Sequence, residues 1–321
     1  MRLVRPPAAL SGRLTDTAFL VAWRLVRLLP EPLARSVFET SAGLVARAGS
    51  GGVAQLRRNL ARVVAADTGP DELDALARAA MRSYGRYWME TFRLPSMDVG
   101  ATLARTHTEG DAHLDVALAA GKGAILALPH SGNWDVAGLW LVRRGQPFAT
   151  VAERLQPESL FDRFVAYRQS LGMEVLPLTG GDAPPAEILG ERLRAGGVVC
   201  LVAERDLSRS GVEVDFFGER TRMPAGPAVL AATTGATLLP VHLYYEGDGW
   251  GQWMGAPIPI PTEGRLRDRV AAATQRLADV FADRIAQHPQ DWHMLQRLWL
   301  ADLPDADPRK RTDSHRPTVA G

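Results

Sequence analysis

The residues best suited to chemistry stand where apolar runs end. Ala124 to Leu128 leads directly into Pro129, His130, Ser131, Gly132, Asn133, Trp134 and Asp135. A histidine takes and returns a proton near neutral pH, provided a carboxylate on its other ring nitrogen fixes the tautomer and stabilises the imidazolium. Two carboxylates are available for that task. Asp135 lies five residues on, an offset that would put the pair on different faces of a regular helix. It serves only if His130 stays in a loop and Asp135 falls in the first turn of the next helix, with Ser131 or Asn133 as its cap. Glu204 ends a second apolar run, Val198 to Ala203, and is followed by Arg205 and Asp206. The spacing leaves open which of the two holds the imidazole. Glu153 and Arg154 close a third run, Phe148 to Ala152, and read either as substrate contacts or as an ion pair buttressing the edge. No Gly-x-Ser-x-Gly nucleophile elbow occurs, which points away from serine acyl-enzyme chemistry on that plan.

The elements that must position these groups follow from periodicity. Up to about Val99 the chain reads as helical, with a stripe of Leu73, Leu76, Ala80, Met81, Tyr84, Trp88 and Phe92 that ends before Pro95. From Asp111 short β-branched runs alternate with helical segments. Strands are expected at 124–128, 148–152, 173–178, 198–203 and 237–245, with 249–255 pairing against the last. Helices are expected at 111–120, 133–144, 157–171, 186–194 and 266–286. That alternation predicts an α/β fold with a mainly parallel central sheet and helices on both faces, preceded by amphipathic N-terminal helices. In open sheets of this kind ligands sit beyond the carboxyl ends of the strands, where His130, Glu153 and Glu204 all fall. One domain is expected over 1–301, with a helical N-terminal region over 1–110 and a catalytic core over 111–301, followed by a disordered polar tail over 302–321.

Composition narrows the partners. In 321 residues, 37 basic side chains nearly cancel 36 acidic ones, so charge offers no argument for nucleic acid. The single cysteine, Cys200, excludes a disulfide framework and a thiolate-bound metal centre, and no histidine pair has zinc spacing. Ala18 to Leu29 is apolar but broken by Arg24 and Arg27, short of the roughly 20 residues a spanning helix needs. Its helical periodicity suits either a core face or a surface resting on a bilayer with arginines towards anionic headgroups.

Several ordered blocks resemble the bacterial lipid A biosynthesis acyltransferases. They are Leu56 to Leu60, Gly121 to Ile125 followed by His130 to Asp135, Glu153-Arg154 with Arg168 and Gly172, and Leu201 to Asp206. Val214 to Gly218, Met223 to Ala228, Thr234 to Ala236, and His288-Pro289 with Trp292 complete the set. Within that family the aspartate ending of the His130 motif, the amphipathic N-terminus and the Arg/Ala-rich composition are most similar to the actinobacterial phosphatidylinositol mannoside acyltransferases.

The resemblance implies a glycerolipid-acyltransferase-like fold, acyl-CoA as co-substrate with no resident cofactor or metal, and a glycolipid acceptor at the inner leaflet of the plasma membrane. The reaction implied is palmitoyl transfer to a mannose hydroxyl, with another glycolipid acceptor as the alternative. His130 would be the base, assisted by Glu204 or Asp135, and the thioester would be attacked directly. Backbone N–H groups after His130 or near Gly226 would hold the oxyanion. Arg168 or Arg209 would meet a phosphate, and Trp134 would touch substrate.

Overall fold

The structure, a computed structural model, describes residues 23–153, 158–180, 183–206 and 210–303. Its centre is a seven-stranded sheet of β1 (Thr106–Glu109), β2 (Ala124–Leu128), β3 (Phe148–Ala152), β4 (Met173–Pro177), β5 (Val198–Val202), β8 (Thr237–Glu246) and β9 (Gly249–Met254). They lie in the order β1-β9-β8-β2-β5-β3-β4. Five neighbouring pairs are parallel, and only β8 with β9 is antiparallel, as expected for strands joined by a tight turn. The sheet is therefore mainly parallel, as the alternation predicts.

Strand β2 shows why the sheet is covered on both faces: all five of its residues are buried. Ala124, Leu126 and Leu128 pack into a core that also holds Leu114 and Leu141. These belong to helices α6 (Ala112–Ala119) and α7 (Trp134–Arg143). Ile125 and Ala127 face the other way, into a core with Leu193, Leu230, Phe281 and Trp299. That second layer is built from α9 (Pro185–Arg194), α10 (Gly226–Thr234) and α11 (Leu266–Gln287). Apolar residues at every position, not at alternate ones, are what a strand buried on both faces requires.

Ahead of the sheet come helical residues 23–28 (α1), α2 (Glu31–Ala48), α3 (Gly51–Val63), α4 (Pro70–Arg93) and the short α5 (Val99–Ala104). Pro70 opens α4, Asp71 and Glu72 fill its first turn and Arg93 its last, each favourable for the helix dipole. The expected stripe is only half the story. Tyr84, Trp88 and Phe92 are partly exposed, whereas Ser83, Arg86, Tyr87, Glu90 and Thr91 are buried. The second half of α4 thus turns a polar face inward.

Two readings need correction, and one stretch given no element acquires one. Thr106–Glu109, placed in the helical region, is an edge strand parallel to β9. Val214 to Gly218 and its flanks form a separate antiparallel hairpin, β6 (Val212–Phe216) with β7 (Glu219–Met223). Asp302, taken as the first tail residue, is gripped by Arg62 through two hydrogen bonds of 2.9 and 3.0 Å. Residues 304–321, and residues 18–22 of the segment read as the first amphipathic helix, lie outside the described residues.

The β6–β7 hairpin is fastened by Trp299. Its Nε1–H donates to the Phe216 carbonyl at 2.9 Å, and its fully buried ring stands edge-on to Trp292. Trp299→Ala is expected to lower unfolding stability by about 3–5 kcal/mol, the range for deleting a buried aromatic. Urea denaturation followed by far-UV circular dichroism checks it.

Candidate active site

The register of two adjacent strands builds the site. Leu128 of β2 lies opposite Val202 of β5, and the ladder runs on as the Ala203 N–H donates to the Leu128 carbonyl at 2.9 Å. His130 and Glu204 each lie two residues beyond that pair and meet. The Glu204 Oε1 atom accepts from the His130 backbone N–H at 2.6 Å and lies 2.7 Å from its Nδ1. A carboxylate partner makes Nδ1 the donor and leaves Nε2 as the nitrogen able to take a proton. The His130 side chain keeps 30% of its exposure, whereas Glu204 keeps none. Burial alone would raise the Glu204 carboxyl, but the charge and hydrogen bonds of His130 hold it below its ordinary value.

The loop between β2 and α7 is pinned on both sides. The Ser131 N–H turns back onto the Pro129 carbonyl at 2.8 Å. The Gly132 N–H donates to the Asp291 carbonyl at 3.0 Å, and the His293 N–H to the His130 carbonyl at 2.8 Å. The block from His288 to Trp292, one of the resembling stretches, is thus the outer wall of the His130 loop. Gly132 has φ +55°, and a Cβ there would stand 2.7 Å from the Leu243 carbonyl carbon. Only glycine fits that approach. His293 is buried behind the loop, and burial together with the nearby His130 pulls its ring down to about 3. It is a neutral packing group lying 3.0 Å from the Ser83 hydroxyl.

Asp135 takes a different role from the one its spacing suggests. It sits in the first turn of α7, where the Asn133 side chain caps the Asp135 and Val136 N–H groups at 3.0 and 3.1 Å. Its buried carboxylate accepts from Arg168 Nε at 2.6 Å and Nη2 at 3.1 Å, and from the Thr91 hydroxyl. Arg168 lies on α8 (Glu158–Ser170), and its guanidinium is a buried strut rather than an open phosphate clamp. Of the two carboxylates that spacing left open, Glu204 is the one on His130.

The other expected site residues are spread around this centre. Trp134 stands edge-on to the His130 ring, centroids 5.9 Å apart, and packs on Tyr87 at 4.2 Å. Glu153 is exposed at the end of β3, one strand beyond β5, and pairs with Arg205 at 3.3 Å. Gly226 is the exposed first residue of α10, which feeds the start of β8 and so opens near the edge where the parallel strands end. Arg154 and Arg209 lie outside the described residues. Among the described residues, no three His, Cys, Asp or Glu side chains gather to hold a metal.

What spacing did not reveal is the share taken by α4. Ser83, Glu90 and Thr91 reach Asp291, Asn133 and Asp135, respectively. The one available signal was a run of polar residues, Ser83, Arg86 and Glu90, three to four residues apart on one helix face.

A proton-accepting imidazole fixed by a buried carboxylate is equipment for deprotonating a hydroxyl, and comparison with known proteins gives it a setting. Residues 9–301 match the family described as bacterial lipid A biosynthesis acyltransferase. The chain belongs to that family and is an acyltransferase. It is 57% identical over 296 residues to a phosphatidylinositol mannoside acyltransferase of Mycolicibacterium smegmatis, covering 92% of this chain and 95% of the relative. It is likewise 57% identical over 304 residues to a phosphatidylinositol mannoside acyltransferase of Mycobacterium tuberculosis (strain CDC 1551 / Oshkosh), covering 94% and 93%.

Two outcomes follow from the geometry. Arg168→Ala leaves Asp135 buried without its cation and is expected to cost about 3–5 kcal/mol of stability, measurable by urea denaturation. The depressed Glu204 carboxyl contributes stability at neutral pH that is lost as pH falls through its folded value, because the unfolded chain binds the proton first. Glu204→Gln is therefore expected to flatten the acid limb of the stability–pH curve, read from melting temperatures between pH 3 and 7.

Proposed function

We propose that this chain transfers a long-chain fatty acyl group, palmitoyl by preference, from acyl-CoA to a mannose hydroxyl of a phosphatidylinositol mannoside. The observation that carries the reading is the His130–Glu204 pair, in a chain 57% identical over nearly its whole length to enzymes named for that acceptor. His130 Nε2 takes the hydroxyl proton as the mannose oxygen attacks the thioester carbonyl. The tetrahedral intermediate then collapses, the carbon–sulfur bond breaks, and coenzyme A leaves as the thiol carrying the proton from His130. Glu204 holds the imidazolium between the two steps, and no acyl-enzyme forms.

The oxyanion needs donors already in place. Between residues 130 and 136, the N–H groups of His130, Ser131, Gly132, Asp135 and Val136 are bonded within the protein. Among the described residues those of Asn133 and Trp134 have no acceptor in the structure, and these are the donors assigned to the oxyanion. The substrates meet the enzyme at the cytoplasmic face of the plasma membrane. Among the described residues no helix is long and apolar enough to cross a membrane. Exposed Leu25, Leu28, Leu33, Val37 and Leu44, alternating with exposed Arg24, Arg27 and Arg47, favour a peripheral contact with the bilayer.

Purified enzyme given radiolabelled palmitoyl-CoA and separate glycolipids is expected to label phosphatidylinositol mannoside. His130→Ala should lose about 10²–10⁴-fold in turnover, the usual worth of a general base. Label on a lipid A precursor instead would move the acceptor assignment. Thiol release at full rate without any glycolipid would make the protein a hydrolase, and near-normal turnover by His130→Ala would remove the base.

A further inference from the structure

The Asn133 carboxamide has two ends doing different work. Its Oδ1 caps α7, accepting the Asp135 and Val136 N–H groups, while its Nδ2 donates to Glu90 Oε2 at 2.7 Å. Glu90 Oε2 also accepts from Trp250 Nε1 at 2.9 Å, and its Oε1 accepts from Arg86 Nε at 2.6 Å. Arg86 in turn donates to the carbonyls of Gly247, Asp248 and Gly249 in the β8–β9 turn. All four side chains are buried, so none of these groups can exchange its partner for water.

Both oxygens of Glu90 therefore face donors only. This fixes which end of the Asn133 carboxamide points at the helix. Reversed, its NH₂ would meet two backbone N–H groups and the cap would fail, because a buried donor facing a donor loses the whole of its bond. The last fixed point of the His130 loop on the α7 side is thus a carboxylate 43 residues upstream, on a helix of the N-terminal region.

We propose that Glu90 is a positioning residue for the acyl transfer reaction. Acting through Asn133, it holds the loop that presents the His130 ring and the Asn133 and Trp134 N–H groups to the reacting carbonyl. The proposal rests on the functional reading above, and it concerns the placing of groups rather than any contact of Glu90 with substrate.

The test is Glu90→Gln, which keeps size and shape but turns an NH₂ towards either Arg86 or the Asn133–Trp250 pair. Turnover is expected to fall about 10–100-fold with KM for palmitoyl-CoA changed less than about threefold, because displacing reacting groups by about an ångström costs up to 10²-fold. Asn133→Ser is the second variant, in case the first folds poorly. Serine caps a helix as well as asparagine but is too short to reach Glu90, so turnover should fall in a variant that still unfolds cooperatively, its melting temperature lowered only by the one lost buried hydrogen bond. Trp250→Phe removes a donor to Glu90 without breaking its bond to Asn133, and should keep turnover within about threefold even where stability drops.

A substrate-free readout accompanies these assays. The low-field Nδ1 proton of His130, seen by NMR of histidine-labelled protein, is expected to shift or broaden in Glu90→Gln and Asn133→Ser. Wild-type turnover in either variant, or an unchanged His130 proton in both, would overturn the positioning role. If the wild-type enzyme fails to acylate phosphatidylinositol mannoside, that result falls on the functional reading alone, and the ring proton still decides the role of Glu90.

Discussion

One oxygen atom organises the His130 site. Glu204 Oε1 accepts both the backbone N–H and the ring Nδ1 of the same residue, so a single buried carboxylate fixes where His130 is and how its ring is turned. A fully buried carboxylate is costly unless its charge is matched and its lone pairs are used. Here the matching group is the His130 imidazole, the ring that the proposed mechanism charges. The pairing exists only because β2 and β5 are direct neighbours in a register that places residues 130 and 204 side by side. A slip of one residue in β2 would turn His130, and one in β5 Glu204, to the opposite face of the sheet and part them. The parallel order β8-β2-β5-β3 therefore builds the His130–Glu204 pair and does not merely support it.

The His-x4-Asp spacing divides its labour. Its histidine is partly exposed beyond the strand ends, but its aspartate faces inward, joining α7 to Arg168 of α8 and to Thr91 of α4. The geometry explains why. In the first turn of a capped helix, a side chain five residues past His130 points to the helix-packed side of the sheet, and the histidine before the cap points along its edge. Asp135 keeps α7 in place, and α7 carries Trp134 beside the imidazole. The two named residues of a six-residue motif are thus one imidazole and one tie-rod, and the carboxylate on the imidazole arrives from a strand 74 residues on.

What could be read from sequence, and what could not, follows the range of the interactions. Strands β2 and β5 were legible because burial of the central sheet leaves unbroken apolar runs, and β3, β4 and β8 because their residues are mostly apolar and β-branched or aromatic between turn signals. Both carboxylates that matter near His130 were visible as strand-end and helix-start residues, but choosing between them needed the strand order, which no local pattern encodes. Thr106–Glu109 was illegible because a four-residue edge strand carries little apolar signal, and its partner β9 lies more than 140 residues later. The β6–β7 hairpin alternates buried Val214 and Phe216 with exposed charge over only five residues per strand, too short to stand out. The polar face of α4 misled for another reason. Arg86 and Glu90 satisfy the helix's own i, i+4 pairing, which on its own describes a solvated surface.

That buried polar face also settles how the helical region and the sheet depend on one another. Ser83 holds Asp291, Glu90 holds Asn133, and Thr91 meets Asp135, while Arg86 covers the Tyr245 ring at 3.9 Å. Each contact replaces water around a group that would be expensive to bury alone. Lifting α4 away would strand Asp291 and Asn133, the two residues that brace the His130 loop from opposite sides. An apolar seam would tolerate small slides of the helix, because dispersion contacts re-form wherever surfaces meet. Directional hydrogen bonds to buried groups do not re-form after a slide of an ångström. The polar seam therefore transmits the position of α4 to the His130 loop, where an apolar one would merely attach it.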